Sequence, residues 1–134
     1  MKLKKMKRNP INDALRLLKF RARSENEIKT RLKQKGYSRE EIEQTIAFLK
    51  EKGYLDDEKF AYLFAYDALT LKKHGPFKIK WELRKLGVDE YIIEDTISKI
   101  LEEVDIEEIK RELTKGLEPK KARELLYRKG FGGE

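Results

Sequence analysis

The sequence predicts an all-α protein, an elongated array of tandem three-helix units whose third unit is incomplete. Three observations predict it. Apolar residues recur at helical spacing along the 134-residue chain, without sustained alternation and without an Asn-Gly or Asp-Gly hairpin turn. Four glycines each close such a stretch and are followed by an apolar residue: Gly36-Tyr37, Gly53-Tyr54, Gly87-Val88 and Gly130-Phe131. Glycine enters the left-handed conformation without a Cβ clash, and the next side chain folds back on the helix, which is a helix stop. The stops also repeat in register. A shift of 51 residues lays Gly36 on Gly87, Ile28 on Ile79, Leu32 on Leu83, Ile42 on Ile93, Thr45 on Thr96 and Ile46 on Ile97. A shift of 43 lays Gly87 on Gly130, Leu83 on Leu126, Ile79 on Ala122 and Pro76 on Pro119.

The elements follow in order. Asn9-Pro10 breaks the chain before a first helix near 11–22. Ser24 with Glu27, and Ser38 with Glu41, read as capping boxes that open helices near 25–35 and 39–52. Asp57, Asp89 and Asp105 stand where caps would open helices near 57–73, 90–103 and 105–115. Pro76 and Pro119 suit the first turn of helices near 76–86 and 119–129, where a missing N–H costs nothing. The organisation expected is a basic segment at 1–12, repeats at 13–57 and 58–104, and a partial repeat at 105–134 that stops where its last helix would begin. Units this small have small cores, so neighbouring units are expected to stack.

Composition removes several classes of function. With no Cys and one His, there is no disulfide framework, thiol nucleophile or cysteine-bound metal, and little room for zinc or triad chemistry. No apolar run reaches the roughly 18 residues of a membrane span, and no apolar segment follows the basic first eight residues as a secretory signal would require. A cytoplasmic protein is expected. There is no Gly-rich phosphate loop, HExxH or GxSxG, so an enzyme is not expected, nor any cofactor or metal.

Charge carries more information. Lys and Arg total 32 against 25 Asp and Glu, a net charge of +7. Residues 16–39 hold nine basic residues and two acids, and residues 40–57 reverse the sign. The alternation returns as six basic residues against one acid in 72–87, then six acids against one lysine in 89–103. The second helix of each unit is thus basic: Lys29, Arg31, Lys33 and Lys35; Lys78, Lys80, Arg84 and Lys85, preceded by Lys72 and Lys73; then Lys120, Lys121, Arg123, Arg128 and Lys129. A charge run is usually a solvated face. Here it recurs with the repeat, and stacking would align it into one ridge facing phosphates or an acidic protein surface. Nothing in it reads base identity.

Three smaller features have plain explanations. Asp56-Asp57-Glu58 reads as capping and dipole compensation rather than a metal or acid–base pair. His74, between Lys73 and Gly75, reads as a solvated or phosphate-contacting loop residue. Trp81 falls off the Ile79–Leu83 stripe by helical phase, so it either packs between units or stands exposed to stack a base or anchor an interface.

Particular residues carry a resemblance. Ala14-Leu15, Leu18, Arg23-Ser24-Glu25, Glu27-Ile28, Leu32 and Lys35-Gly36-Tyr37 form one stretch. Ile46, Leu49, Gly53-Tyr54-Leu55-Asp56-Asp57 and Phe60-Ala61 form a second, and Gly75-Pro76, Ile79, Glu82-Leu83 and Gly87-Val88 a third. Together, over about residues 13–131, they resemble the RecX family of modulators of the RecA recombinase. The resemblance implies tandem three-helix repeats and a non-enzymatic regulator. Such a protein binds in the groove of the RecA–DNA filament, suppresses ATPase, strand-exchange and coprotease activities, and in some members binds DNA directly. The chain departs from that pattern at 60–71, where Asp67 is the sole charged residue; Lys72, Lys73 and His74 stand ready to replace the basic residues usual there. The expected partners are the RecA filament and single-stranded or filament-bound DNA, with the protein a monomer. A rival expectation is a helix-turn-helix DNA-binding regulator, which three-helix units with basic second helices also fit.

Overall fold

The computed structural model describes residues 8–132, so the basic run Lys2–Lys7 lies outside the described residues. Eight α-helices and no strand occur among them: α1 Pro10–Phe20, α2 Glu25–Gln34, α3 Arg39–Glu51, α4 Asp57–Thr70, α5 Pro76–Lys85, α6 Glu90–Glu103, α7 Ile106–Thr114 and α8 Pro119–Lys129. The chain divides into two compact units, residues 1–56 and 57–134.

The first unit, α1 to α3, closes over Ala14, Ile28, Leu32, Ile42, Ile46 and Leu49, all buried. Both capping boxes form. The Ser24 hydroxyl accepts from the Glu27 N–H at 3.1 Å while the Glu27 carboxylate accepts from the Ser24 N–H at 3.0 Å. Ser38 and Glu41 do the same at 3.1 and 2.8 Å. Asn9 is itself a cap, accepting from the Ile11 N–H at 2.9 Å, so α1 begins at Pro10 and the proline is its first residue rather than a break before it.

In the second unit, α4, α5 and α6 repeat the three-helix arrangement around Ala65, Leu69, Ile79, Leu83, Ile93 and Ile97. Helix α7 adds to the same core through buried Ile109 and half-buried Ile106 and Leu113, and the residue after the α8 stop, Phe131, packs against it too. Apart from the glycines, every pair equated by the 51-residue shift is buried in both copies, including Thr45 and Thr96. The glycine stops work as read. The N–H after each glycine donates to a carbonyl five residues back: Tyr37 to Leu32, Tyr54 to Leu49, Val88 to Leu83 and Phe131 to Leu126, at 2.8–3.2 Å. Gly36 stands at φ 92° and Gly87 at φ 78°, where a Cβ would be strained.

Some boundaries differ from expectation, and α1 ends at Phe20 rather than 22, where Arg21 turns extended. Helix α4 ends at Thr70 rather than 73, because Lys73 turns to φ 60° and the His74 N–H bonds back to the Ala68 carbonyl at 2.9 Å. Of the three aspartates read as caps, Asp105 accepts the Glu108 N–H at 3.1 Å, Asp89 stands at the cap position without such a bond, and Asp57 is the first residue of α4 rather than the residue before it.

Candidate nucleic-acid interface

Helical phase sorts the side chains of α5 onto three faces. Ile79 and Leu83 are buried in the core. Lys80 and Arg84, one turn apart, lean toward α6: Lys80 Nζ lies 3.5 Å from Glu94, and Arg84 holds Glu90 in a two-pronged pair at 2.6 and 2.9 Å. The hydrogen bond from Arg84 holds the Glu90 carboxyl below the usual carboxylate range, and the same bond raises Arg84. The third face carries Phe77, Lys78, Trp81 and Lys85 and is open; Phe77 is 65% exposed and Trp81 56%. Lys85 Nζ sits 4.4 Å above the Trp81 ring, a cation–π contact.

The far wall of this open face is the end of α8, and two glycines bring it there. The α5 N-terminus has no capping side chain, because its cap residue is Gly75. Its free N–H groups are met by the last carbonyls of α8 instead: Gly75 N–H donates to Lys129 O at 2.7 Å, and Phe77 N–H to Gly130 O at 2.9 Å. A Cβ on Gly75 would lie 2.4 Å from the Gly130 carbonyl group, and one on Gly130, at φ 94°, would lie 2.4 Å from Lys78 Cβ. The two backbones approach because neither residue has a side chain. The result is a recess of about 500 Å³ between Phe77, Lys78 and Trp81 on one side and Tyr127 and Arg128 on the other.

The cations singled out in the sequence therefore divide into two sets. Lys29 is tied to Glu25 at 3.3 Å, Lys80 to Glu94 and Arg84 to Glu90, and Lys73 lies 3.9 Å from Glu112. Arg31, Lys33 and Lys35 of the first unit, and Lys72, Lys85, Lys120, Lys121, Arg123 and Arg128 of the second, are exposed; Lys78 and Lys129 are half-buried. Phe77 and Tyr127 escaped the sequence reading as partners of Trp81. The i, i+4, i+8 spacing of Phe77, Trp81 and Lys85 was the available signal; for Tyr127 there was none without the α8 approach. His74 is also placed differently from the reading as a solvated loop residue. Its Nδ1 lies 3.0 Å from Glu82 Oε1 and only 16% of its side chain is exposed, so it ties the α4–α5 connection to α5.

Fold and surface define a helical repeat protein built from three-helix units, with a basic and aromatic face on its second unit. The comparisons make that class particular. Residues 11–49 match the model of the first three-helix domain of RecX, and residues 56–97 that of the second. The regulatory protein RecX of Thermotoga maritima is 53% identical over 125 residues, covering 92% of this chain and 78% of its own. That of a Geobacillus strain is 33% identical, covering 92% of this chain and 49% of its own. The crystal structure of RecX from Lactobacillus salivarius superposes with a TM-score of 0.84 over 92% of this chain and 86% of its own, at 23% identity, which supports the fold. The chain belongs to the RecX family, regulatory proteins that modulate the RecA recombinase and are not enzymes. Among the described residues, no helix is long and apolar enough to cross a membrane.

Proposed function

We propose that this protein binds the RecA–DNA filament as a cytoplasmic monomer and inhibits the ATPase, recombinase and coprotease activities of RecA. The observation that carries the reading is the presence, in order, of both RecX three-helix domains. The electrostatics support it. A filament offers phosphates and acidic protein surface, and the cations available to meet them are those with no carboxylate partner among the described residues: Lys78, Lys85 and Arg128 beside the recess, the exposed cations of α8, and Arg31, Lys33 and Lys35 on the first unit. Lys80 and Arg84 tie α5 to α6, Lys29 is paired along its own helix with Glu25, and all three contribute less. A body seated in the filament groove opposes the subunit movements that ATP turnover needs, so inhibition is steric and requires no chemistry from this chain.

The test is a titration of the protein into RecA, ATP and single-stranded DNA while ATP hydrolysis is followed. Inhibition below one copy per RecA is expected. Unchanged hydrolysis at several-fold excess would contradict the reading. Raising salt should weaken inhibition, because cation–phosphate contacts release counterions.

A further inference from the structure

The α5–α8 recess combines features that charge attraction alone does not require. Three aromatic side chains surround it with their rings in solvent; Tyr127, at 69% exposed, is the most open. Large aromatic surface left in water beside a formed recess marks a binding site. Lys78 and Arg128 line it, Lys85 caps one side of Trp81, and no carboxylate lines it among the described residues. The walls are fixed by the two backbone hydrogen bonds of the Gly75–Gly130 seam, so the rings are set apart before anything binds.

From this the geometry points to a base-stacking site for single-stranded nucleic acid, with bases against Trp81 and Tyr127 and the backbone phosphates on Lys78, Lys85 and Arg128. An apolar peptide helix would use the rings but leave three cations facing it. An acidic peptide would use the cations but leave the rings wet. A single strand meets both needs, because every base has a π-face and every residue a phosphate. Among the described residues no Asn, Gln, Asp or Glu lines the recess, and its cations Lys78 and Arg128 are taken up by phosphates, so the site is sequence-tolerant. The inference rests on the filament reading for its setting, since that filament contains single-stranded DNA, but its test needs no RecA.

Trp81 is the only tryptophan in the chain, so its fluorescence reports the site directly. The full-length protein is titrated with an oligothymidylate of about twelve nucleotides. Quenching of Trp81 is expected, with log Kd rising against log salt with a slope of about 2 for three phosphate contacts. Tyr127→Ala should weaken binding by about tenfold, and R128E should weaken it too, while K80A, which removes a lysine paired with Glu94, should leave it unchanged. An abasic sugar-phosphate oligomer of the same length should bind much more weakly. Equal binding of the abasic oligomer, or equal quenching by an acidic peptide of matched charge, would overturn base stacking. So would a Trp81 emission maximum or intensity per molecule that changes with protein concentration in the absence of DNA, which would seat a second copy in the recess. Oligonucleotide binding seen by anisotropy with Trp81 unmoved would place DNA elsewhere and overturn the site. Inhibition of RecA without Trp81 quenching would overturn this site alone; quenching without inhibition would overturn the filament reading alone.

Discussion

Helices α2 and α5 occupy the same place in two copies of one unit, yet their outer faces share nothing. Where α5 carries Phe77, Lys78, Trp81 and Lys85, the 51-residue shift puts Asn26, Glu27, Thr30 and Gln34 on α2. Their inner faces are the same pair of residues, Ile28 and Leu32 matching Ile79 and Leu83, all at most 1% exposed. Core packing tolerates little change in volume, so the frame is copied; the solvent face is free of that constraint and is where the copies diverge. The caps diverge with it. Ser24 satisfies the start of α2 from its own side chain, whereas Gly75 in the equivalent place leaves the start of α5 to be met by α8. The first unit thus has a locally closed helix end, and the second has one completed by a distant segment that builds a recess. The flanks differ as well: Arg84 finds Glu90, but the equivalent of that pair in the first unit is Lys33 and Arg39, and Arg39 turns to Glu43 at 3.1 Å instead.

The comparison can be broken or sharpened by substitution. The largest effect should come from the shared frame. L32A and L83A each open a cavity at an equivalent, fully buried site and should cost about 2–5 kcal/mol. Amide hydrogen exchange should show protection lost first in the unit that carries the change. If L83A left protection in the second unit intact, the repeat would not be a structural equivalence. Next comes Gly75→Ser, which copies the first unit's cap into the second. The added side chain meets the Gly130 backbone, so instead of stabilising α5 it should destabilise the second unit by about 1–3 kcal/mol and displace α8, seen as a change in Trp81 fluorescence. The reverse loss, Ser24→Ala, should cost about 1 kcal/mol by chemical denaturation, the ordinary value of a cap.

The smallest effect is in pH dependence. Partial burial pushes the Glu25 carboxyl up, but the hydrogen bond from Lys50 and the charge of Lys29 outweigh it and hold its pKa below the ordinary glutamate value. A carboxylate with a lowered folded pKa stabilises above its unfolded value, about 4.3, and that contribution is lost as pH falls through the folded value. Glu25→Gln should therefore flatten the acid limb of the first unit's stability. Glu90 shifts in the same direction, but its pair with Arg84 is exposed and screened, so Glu90→Gln should change the acid limb of the second unit less.

What was legible in the sequence was local. Glycine stops, serine capping boxes and 3.6-residue apolar spacing act within one or two turns, so eight helices and the paired cores of the two repeats could be read directly. What was not legible depends on segments far apart in the chain. The basic character of α5 was plain, but the assignment of Lys80 and Arg84 to Glu94 and Glu90 required the α5–α6 crossing. Gly75 stood out only beside Pro76, and Gly130 only as a helix stop; their contact supplies the reason for the first and a second reason for the other. Trp81 was readable as an unplaced aromatic, whereas its partner Tyr127 lies 46 positions away and lacked any periodic link to it.

The most direct test compares the two faces of α5 in the same assay. ATP hydrolysis by RecA on single-stranded DNA is followed with the wild-type protein, with the triple variant K78E, K85E and R128E, and with the double variant K80A and R84A. The account predicts that the triple variant, folded by circular dichroism, loses inhibition while the double variant keeps most of it. Full inhibition by the triple variant would contradict the claim that the open face of the second unit is the working surface.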